Sequence, residues 1–269
     1  GRSVLVGMST AFRNITGSSL TCLGTFAAEM NQNGDNLTAI GRDSCRSNIN
    51  GVGSVGVGAL SLLYGTTGIR SINVTNGGSG YTNGATTIVI SSPYGGPGPG
   101  ISWGIATATP VISGGVITGI TVTDPGAGYS DLGGSYGVGY DIPDVTVTIV
   151  GDGVGATAEA VLQSSDNNIG VGPGAGYQNR IGTENIYIGN ISGGSNPRFW
   201  DENTINIGNY SGADSSVNSS TELKNSIAIG TNAKYVKSNL LAVGGSNLED
   251  KLQTVFNGKD TDAAFQYNL

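Results

Sequence analysis

The sequence predicts an all-β protein: a parallel β-roll or solenoid of about 17-residue coils, interrupted by a small antiparallel β insert domain. Three observations carry this. The 269 residues include 47 Gly and only 12% charged residues, while short alternating runs of Val, Ile and Leu recur throughout; this is the pattern of half-buried strands joined by glycine turns. A four-residue motif ending in glycine recurs at a fixed step. Between two runs of that motif lies a stretch of different grammar that is itself doubled.

Residues 1–68 form the first run. Val4-Leu5-Val6-Gly7, Thr21-Cys22-Leu23-Gly24, Thr38-Ala39-Ile40-Gly41 and Val55-Gly56-Val57-Gly58 place glycines at 7, 24, 41 and 58, a constant step of 17. Residues 163–245 form the second run, with motif glycines at 172, 189, 208, 230 and 244; the first step is again 17, and the later steps of 19, 22 and 14 imply loop insertions and one deletion. Units of this kind cannot bury an apolar face alone and are stabilised by stacking. In all nine copies the residue before the glycine (position −1) is Val, Ile or Leu, and position −3 is Val, Thr, Ile or Leu. Strand alternation puts these two on one face, expected to point into the core, with position −2 pointing away. Asn at −4 or −5 in six of the nine copies suits a turn. Small residues four after the glycine (Ala11, Ala28, Cys45, Gly176, Gly193, Gly212) suggest a tight inner corner.

Residues 69–162 read as the insert. Ile72-Asn73-Val74-Thr75 followed by Gly78-Ser79-Gly80-Tyr81 corresponds to Ile120-Thr121-Val122-Thr123 followed by Gly126-Ala127-Gly128-Tyr129, an offset of 48. Each copy continues with an aliphatic strand (Thr87–Ile90, Val145–Ile149) and an Ala-Thr strand (Ala106–Thr109, Ala156–Ala158). Two similar three-stranded units are therefore expected in one antiparallel domain. Residues 246–269 read as a C-terminal cap: Ser246 to Glu249 has the capping-box pattern, Leu248, Leu252 and Val255 form a helical stripe, and residues 263–267 suit a closing strand.

Composition restricts function. The formal charge of −7, with 12 Lys and Arg scattered singly, argues against a nucleic-acid partner. No apolar run approaches the ~20 residues needed to span a bilayer, and the N-terminus lacks the order of a signal peptide. The absence of His removes Ser-His-Asp and Cys-His catalysis. No calcium or phosphate loop motif occurs, so no metal or cofactor is expected. Cys22 and Cys45 read as buried free thiols rather than a disulfide framework.

The run Asn225-Ser226-Ile227-Ala228-Ile229-Gly230-Thr231-Asn232-Ala233 resembles the head repeat of trimeric autotransporter adhesins. Asn168 to Tyr177, followed by Asn185 to Gly189, is similar to repeats of bacteriophage tail fibres. The resemblance implies a β-roll, a homotrimer with its rolls intertwined or side by side, and a place in the virion tail fibre, with other tail proteins as neighbours. The absence of a coiled-coil stalk or anchor in this sequence favours phage over an adhesin on the bacterial surface.

The expected function is non-enzymatic attachment to host polysaccharide or lipopolysaccharide, with a depolymerase tailspike and an adhesin head as alternatives. No catalytic residue is assigned, because the acids adjacent in sequence occupy no recurring repeat position. Candidate receptor contacts are Tyr94, Trp103, Tyr136 and Tyr140, set among insert glycines, and Arg198, Trp200 and Asp201 in a lengthened, protruding repeat. They combine rings that stack on sugars with charges that bond hydroxyls or phosphates.

Overall fold

The glycine that closes each four-residue motif also ends its strand. In this computed structural model all nine motif glycines have positive φ, from 102° at Gly244 to 136° at Gly7, a backbone state that side chains resist. Space excludes a side chain as well: a Cβ on Gly24 would lie 2.7 Å from the carbonyl oxygen of Gly41 in the next repeat. The structure describes residues 2–93, 104–129, 134–136, 140–142, 145–193, 200–218 and 221–245.

Among the described residues the chain is all-β, with no helix. In chain order the strands are β1 (Val4–Val6), β2 (Thr21–Leu23), β3 (Thr38–Ile40), β4 (Val55–Val57), β5 (Thr67–Ser79), β6 (Thr87–Ile90), β7 (Thr107–Ser113), β8 (Val116–Asp124), β9 (Gly134–Tyr136), β10 (Tyr140–Ile142), β11 (Val147–Val150), β12 (Val154–Ser164), β13 (Ile169–Val171), β14 (Ile186–Ile188), β15 (Ile205–Ile207), β16 (Gly212–Ala213), β17 (Ile227–Ile229), β18 (Lys234–Tyr235) and β19 (Leu241–Val243). Nine of these, one per motif, make a single parallel sheet in the order β1-β2-β3-β4-β13-β14-β15-β17-β19. Pairing is motif on motif: Cys22 lies beside Ala39, Ala39 beside Gly56, Gly56 beside Gly170, and Gly170 beside Tyr187. A second row of backbone bonds joins the far sides of successive repeats, as where Ala28 donates to Ser44 and Cys45 to Ser61, each at 2.9 Å.

The asparagine signal resolves into two roles. At position −5, Asn36, Asn167, Asn203, Asn225 and Asn239 adopt left-handed φ of 53–59°, which Asn tolerates better than most residues. At position −4, Asn168 and Asn185 are buried, and the Asn185 side chain donates to Asn168 Oδ1 at 3.0 Å. Further round the repeat, Asn48 donates to Asn31 and Asn31 to Asn14, at 2.9 and 2.8 Å. Each amide is thereby satisfied by its counterpart in the neighbouring repeat.

The facing of the motif is the reverse of the expected one. Position −2 is buried from Cys22 through Ala228, and positions −1 and −3 look outward. The interior is too thin for two aliphatic rows: a Cβ on Gly56 would lie 2.5 Å from Cys45 Sγ, and one on Gly170 would lie 2.6 Å from Ser61 Oγ. Small residues therefore fill position −2. Where Tyr187 stands there instead, Gly176 and Gly193 make room, since a Cβ on either would come within 2.8 Å of its ring. Leu20, Leu37, Ala28, Cys45 and Leu62 complete this narrow core.

The insert pairs across its two copies rather than within them. Its four-stranded sheet has the order β12-β5-β8-β7, and β11 pairs antiparallel with β6. Ile72 lies opposite Ile120, its own counterpart at the offset of 48, and Val89 lies opposite Thr148. The copies are thus related by a local two-fold. Their details repeat: Asn76 Oδ1 accepts from Gly78 N at 2.9 Å as Asp124 Oδ1 does from Gly126 N at 2.8 Å. The Thr75–Thr157 and Thr107–Thr123 hydroxyl pairs both measure 2.7 Å, and the buried Tyr81 and Tyr129 hydroxyls accept from Ala156 N and Ala106 N. Ile69, Ile72, Ile90, Ala106 and Tyr129 form the insert's own core. The C-terminal cap helix and closing strand expected over 246–269 lie outside the described residues.

Candidate functional site

Turning position −2 inward leaves positions −1 and −3 on the outer face of the nine-stranded sheet. The row at −1 carries Val171, Ile188, Ile207, Ile229 and Val243 at 36–41% exposure. Across both rows there are eighteen positions; sixteen are Val, Ile or Leu, two are Thr, and none is charged. At about 4.8 Å between strands, nine strands give a ladder about 38 Å long. A continuous apolar strip on a regular sheet marks an interaction surface.

A second constellation sits where the insert meets the repeats. Arg70 is the extra residue in a β-bulge, since Val161 pairs with Ser71 and Leu162 with Ile69; a bulge re-aims its side chain. Arg70 reaches Glu222 at 2.5 Å and Glu202 at 3.4 Å, and Lys224 meets the same two carboxylates at 3.0 and 2.9 Å. Burial raises the Glu202 pKa, but the Lys224 hydrogen bond and the Arg70 charge outweigh it and hold the carboxyl below its usual range. Arg180 closes the other side of the junction on Asp124 at 3.0 Å. The two-fold supplies a comparison: the counterpart of Arg70 is Thr118 and that of Asp124 is Asn76, both exposed or solvent-edged and both uncharged. In each pair the charge occurs at the member that faces the repeats.

Trp200 and Asp201 belong to this junction and do not project from it. Trp200 is 6% exposed, packs with Ile181 and Val122, and lies under the Arg70 guanidinium at 5.8 Å. The lengthened repeat folds this ring inward because the insert offers it an apolar seat and a cation. Asp201 is buried, with Leu223 N donating to its Oδ1 and Asn185 Nδ2 to its carbonyl oxygen. Neither presents a surface to sugar in this chain. Tyr136 and Tyr140 lie opposite each other on β9 and β10, while Tyr94, Trp103 and Arg198 lie outside the described residues.

The Arg70 cluster carries no local sequence signal, because Arg70 lies more than a hundred residues before Glu202, Glu222 and Lys224. The outward ladder had one signal, position −2, which is Cys, Ala or Gly in six of nine copies, but Leu5, Tyr187 and Asn206 at the same position masked it. Cys22 and Cys45 are free and buried. Among the described residues, no three His, Cys, Asp or Glu side chains gather in a way that could hold a metal, and no helix is long and apolar enough to cross a membrane. Comparison with family models, with curated proteins and with solved structures finds no match for this chain.

Proposed function

We propose that this chain is a non-enzymatic segment of a trimeric bacteriophage tail fibre that attaches to host-surface glycan or lipopolysaccharide. In this reading the two runs of repeats are stacked coils of one β-roll, and three rolls pack about a common axis. The observation that carries it is the uncharged aliphatic ladder running the length of the nine-stranded sheet. Such a strip is costly to leave in water, at roughly 25 cal/mol per Å² of apolar surface, and packing it against other copies removes that cost. The insert is the part held out from the shaft, so its loops are the receptor-contacting region.

A depolymerase has less support. The two carboxylates that Arg70 and Lys224 bring together, Glu202 and Glu222, are both tied up in ion pairs with those cations, so neither is free to serve as the acid or nucleophile of glycoside cleavage. The test is the native mass by sedimentation at low concentration. Three times 27.0 kDa is expected; a stable monomer would sink the trimeric reading. Removing residues 69–162 is expected to abolish adsorption to host cells while leaving the oligomer intact, and unchanged adsorption would reassign the contacts to the shaft.

A further inference from the structure

We infer that Thr21 and Thr38 fix the register of self-association, admitting only parallel, unshifted copies. This rests on the proposal that the ladder packs against further copies of the chain, and adds to it the rule by which copies align.

The spacing of the ladder selects its partner. Strand rungs recur every 4.8 Å or so, whereas a helix presents its turns every 5.4 Å or so. A helix laid along the sheet therefore slips by about one whole rung over the nine strands. A surface with the same rung spacing stays in step throughout, and a second copy of this sheet has it.

Repetition creates an ambiguity, because a uniform aliphatic ladder matches itself at every shift and in both directions. Thr21 and Thr38 break that uniformity. They occupy position −3 of the second and third rungs, on the outward face, and neither hydroxyl has a hydrogen-bond partner among the described residues. In a parallel, unshifted assembly each threonine meets its own counterpart, and the hydroxyls satisfy one another. In an antiparallel assembly the second and third rungs meet the eighth and seventh, which carry Ile227 and Ile205. A one-rung shift leaves one threonine of each copy against valine. An unpaired buried hydroxyl disfavours the wrong alignment by about tenfold each, as a single polar residue specifies register in an otherwise apolar seam.

The test places one spin label at Lys237→Cys, near the last rung, in the full chain. Cys22 and Cys45 are buried, so labelling is confined to the new thiol. The parent protein is expected to show one narrow label-to-label distance. T21V/T38V is expected to keep the same native mass but to add longer distances, in rung-sized steps or near the full ladder length. T21S/T38S, which keeps the hydroxyls, is expected to restore the single distance. A single narrow distance in T21V/T38V overturns the inference, as does a mixed distribution in the parent. Loss of the oligomer in T21V/T38V alone also overturns it, since the threonines would then supply cohesion rather than alignment. A monomeric parent, seen in the mass, removes the underlying assembly and is read separately from any change in distance.

Discussion

At the scale of single residues, backbone handedness governs this protein more than side-chain chemistry does. Gly24 combines a φ of 133° with a next-repeat carbonyl only 2.7 Å from where a Cβ would stand. Gly24→Ala is therefore expected to destabilise by at least about 2–3 kcal/mol, measured by denaturant unfolding. Other left-handed positions hold residues poorly suited to them, most clearly the β-branched Ile191 at φ 51°. Ile191→Asn is expected to stabilise by about 1 kcal/mol, and an unchanged or lowered melting temperature would contradict the strain argument. Burial pushes the Cys22 thiol up to about 11 and the Cys45 thiol up to about 12. Neither is expected to react with a thiol reagent at neutral pH until the protein unfolds.

At the scale of elements, the duplicated insert provides its own control. Arg70 and Thr118 occupy equivalent bulges, but only Arg70 reaches the repeats. Arg70→Ala is expected to loosen the junction by about 2 kcal/mol, because it leaves two half-buried carboxylates facing Lys224 alone; Thr118→Ala should change stability by less than about 0.5 kcal/mol. Hydrogen exchange of β5 and β12 separates the two. The junction also has a pH signature. The folded-state pKa of Glu202 is lowered, so its contribution is present above the unfolded value near 4.3 and is lost as pH falls through the folded value. Lys224 is raised, chiefly by its hydrogen bonds to Glu202 and Glu222, so its contribution holds below about pH 10.4 and is lost as pH rises through the folded value. Strand positions were legible in the sequence because a φ-restricted glycine marks each one. Their facing was not, since variability at position −2 looked like exposure when it reflected matching across a thin interior, Tyr187 against Gly176 and Gly193. The doubling of the insert was equally legible, but strands paired within a copy or between copies leave the same pattern. Trp200 was misplaced because its seat, Ile181 and Val122, comes from two other parts of the chain.

At the scale of the whole molecule, two sheets meet through one narrow gateway. Thr67 pairs with Ser164, and Ser165 N donates to the carbonyl oxygen of Thr66 at 3.0 Å. The chain thus leaves and re-enters the repeats at adjacent points, and Val55 aligns with Ile169 as if nothing intervened. The gateway sets a condition on folding. The second run of repeats can pair with β4 only after roughly a hundred residues have brought their ends together, a closure whose entropy must be met before the two runs join into one sheet. Replacing residues 68–163 with a short glycine turn is therefore expected to leave the pairing of β4 with β13 unchanged while accelerating refolding by on the order of tenfold or more, as read by stopped-flow. The insert acts as a timer on the joining of the two runs: β1–β4 are free to pair at once, and the pairing of β4 with β13 waits for the ends of the insert to meet.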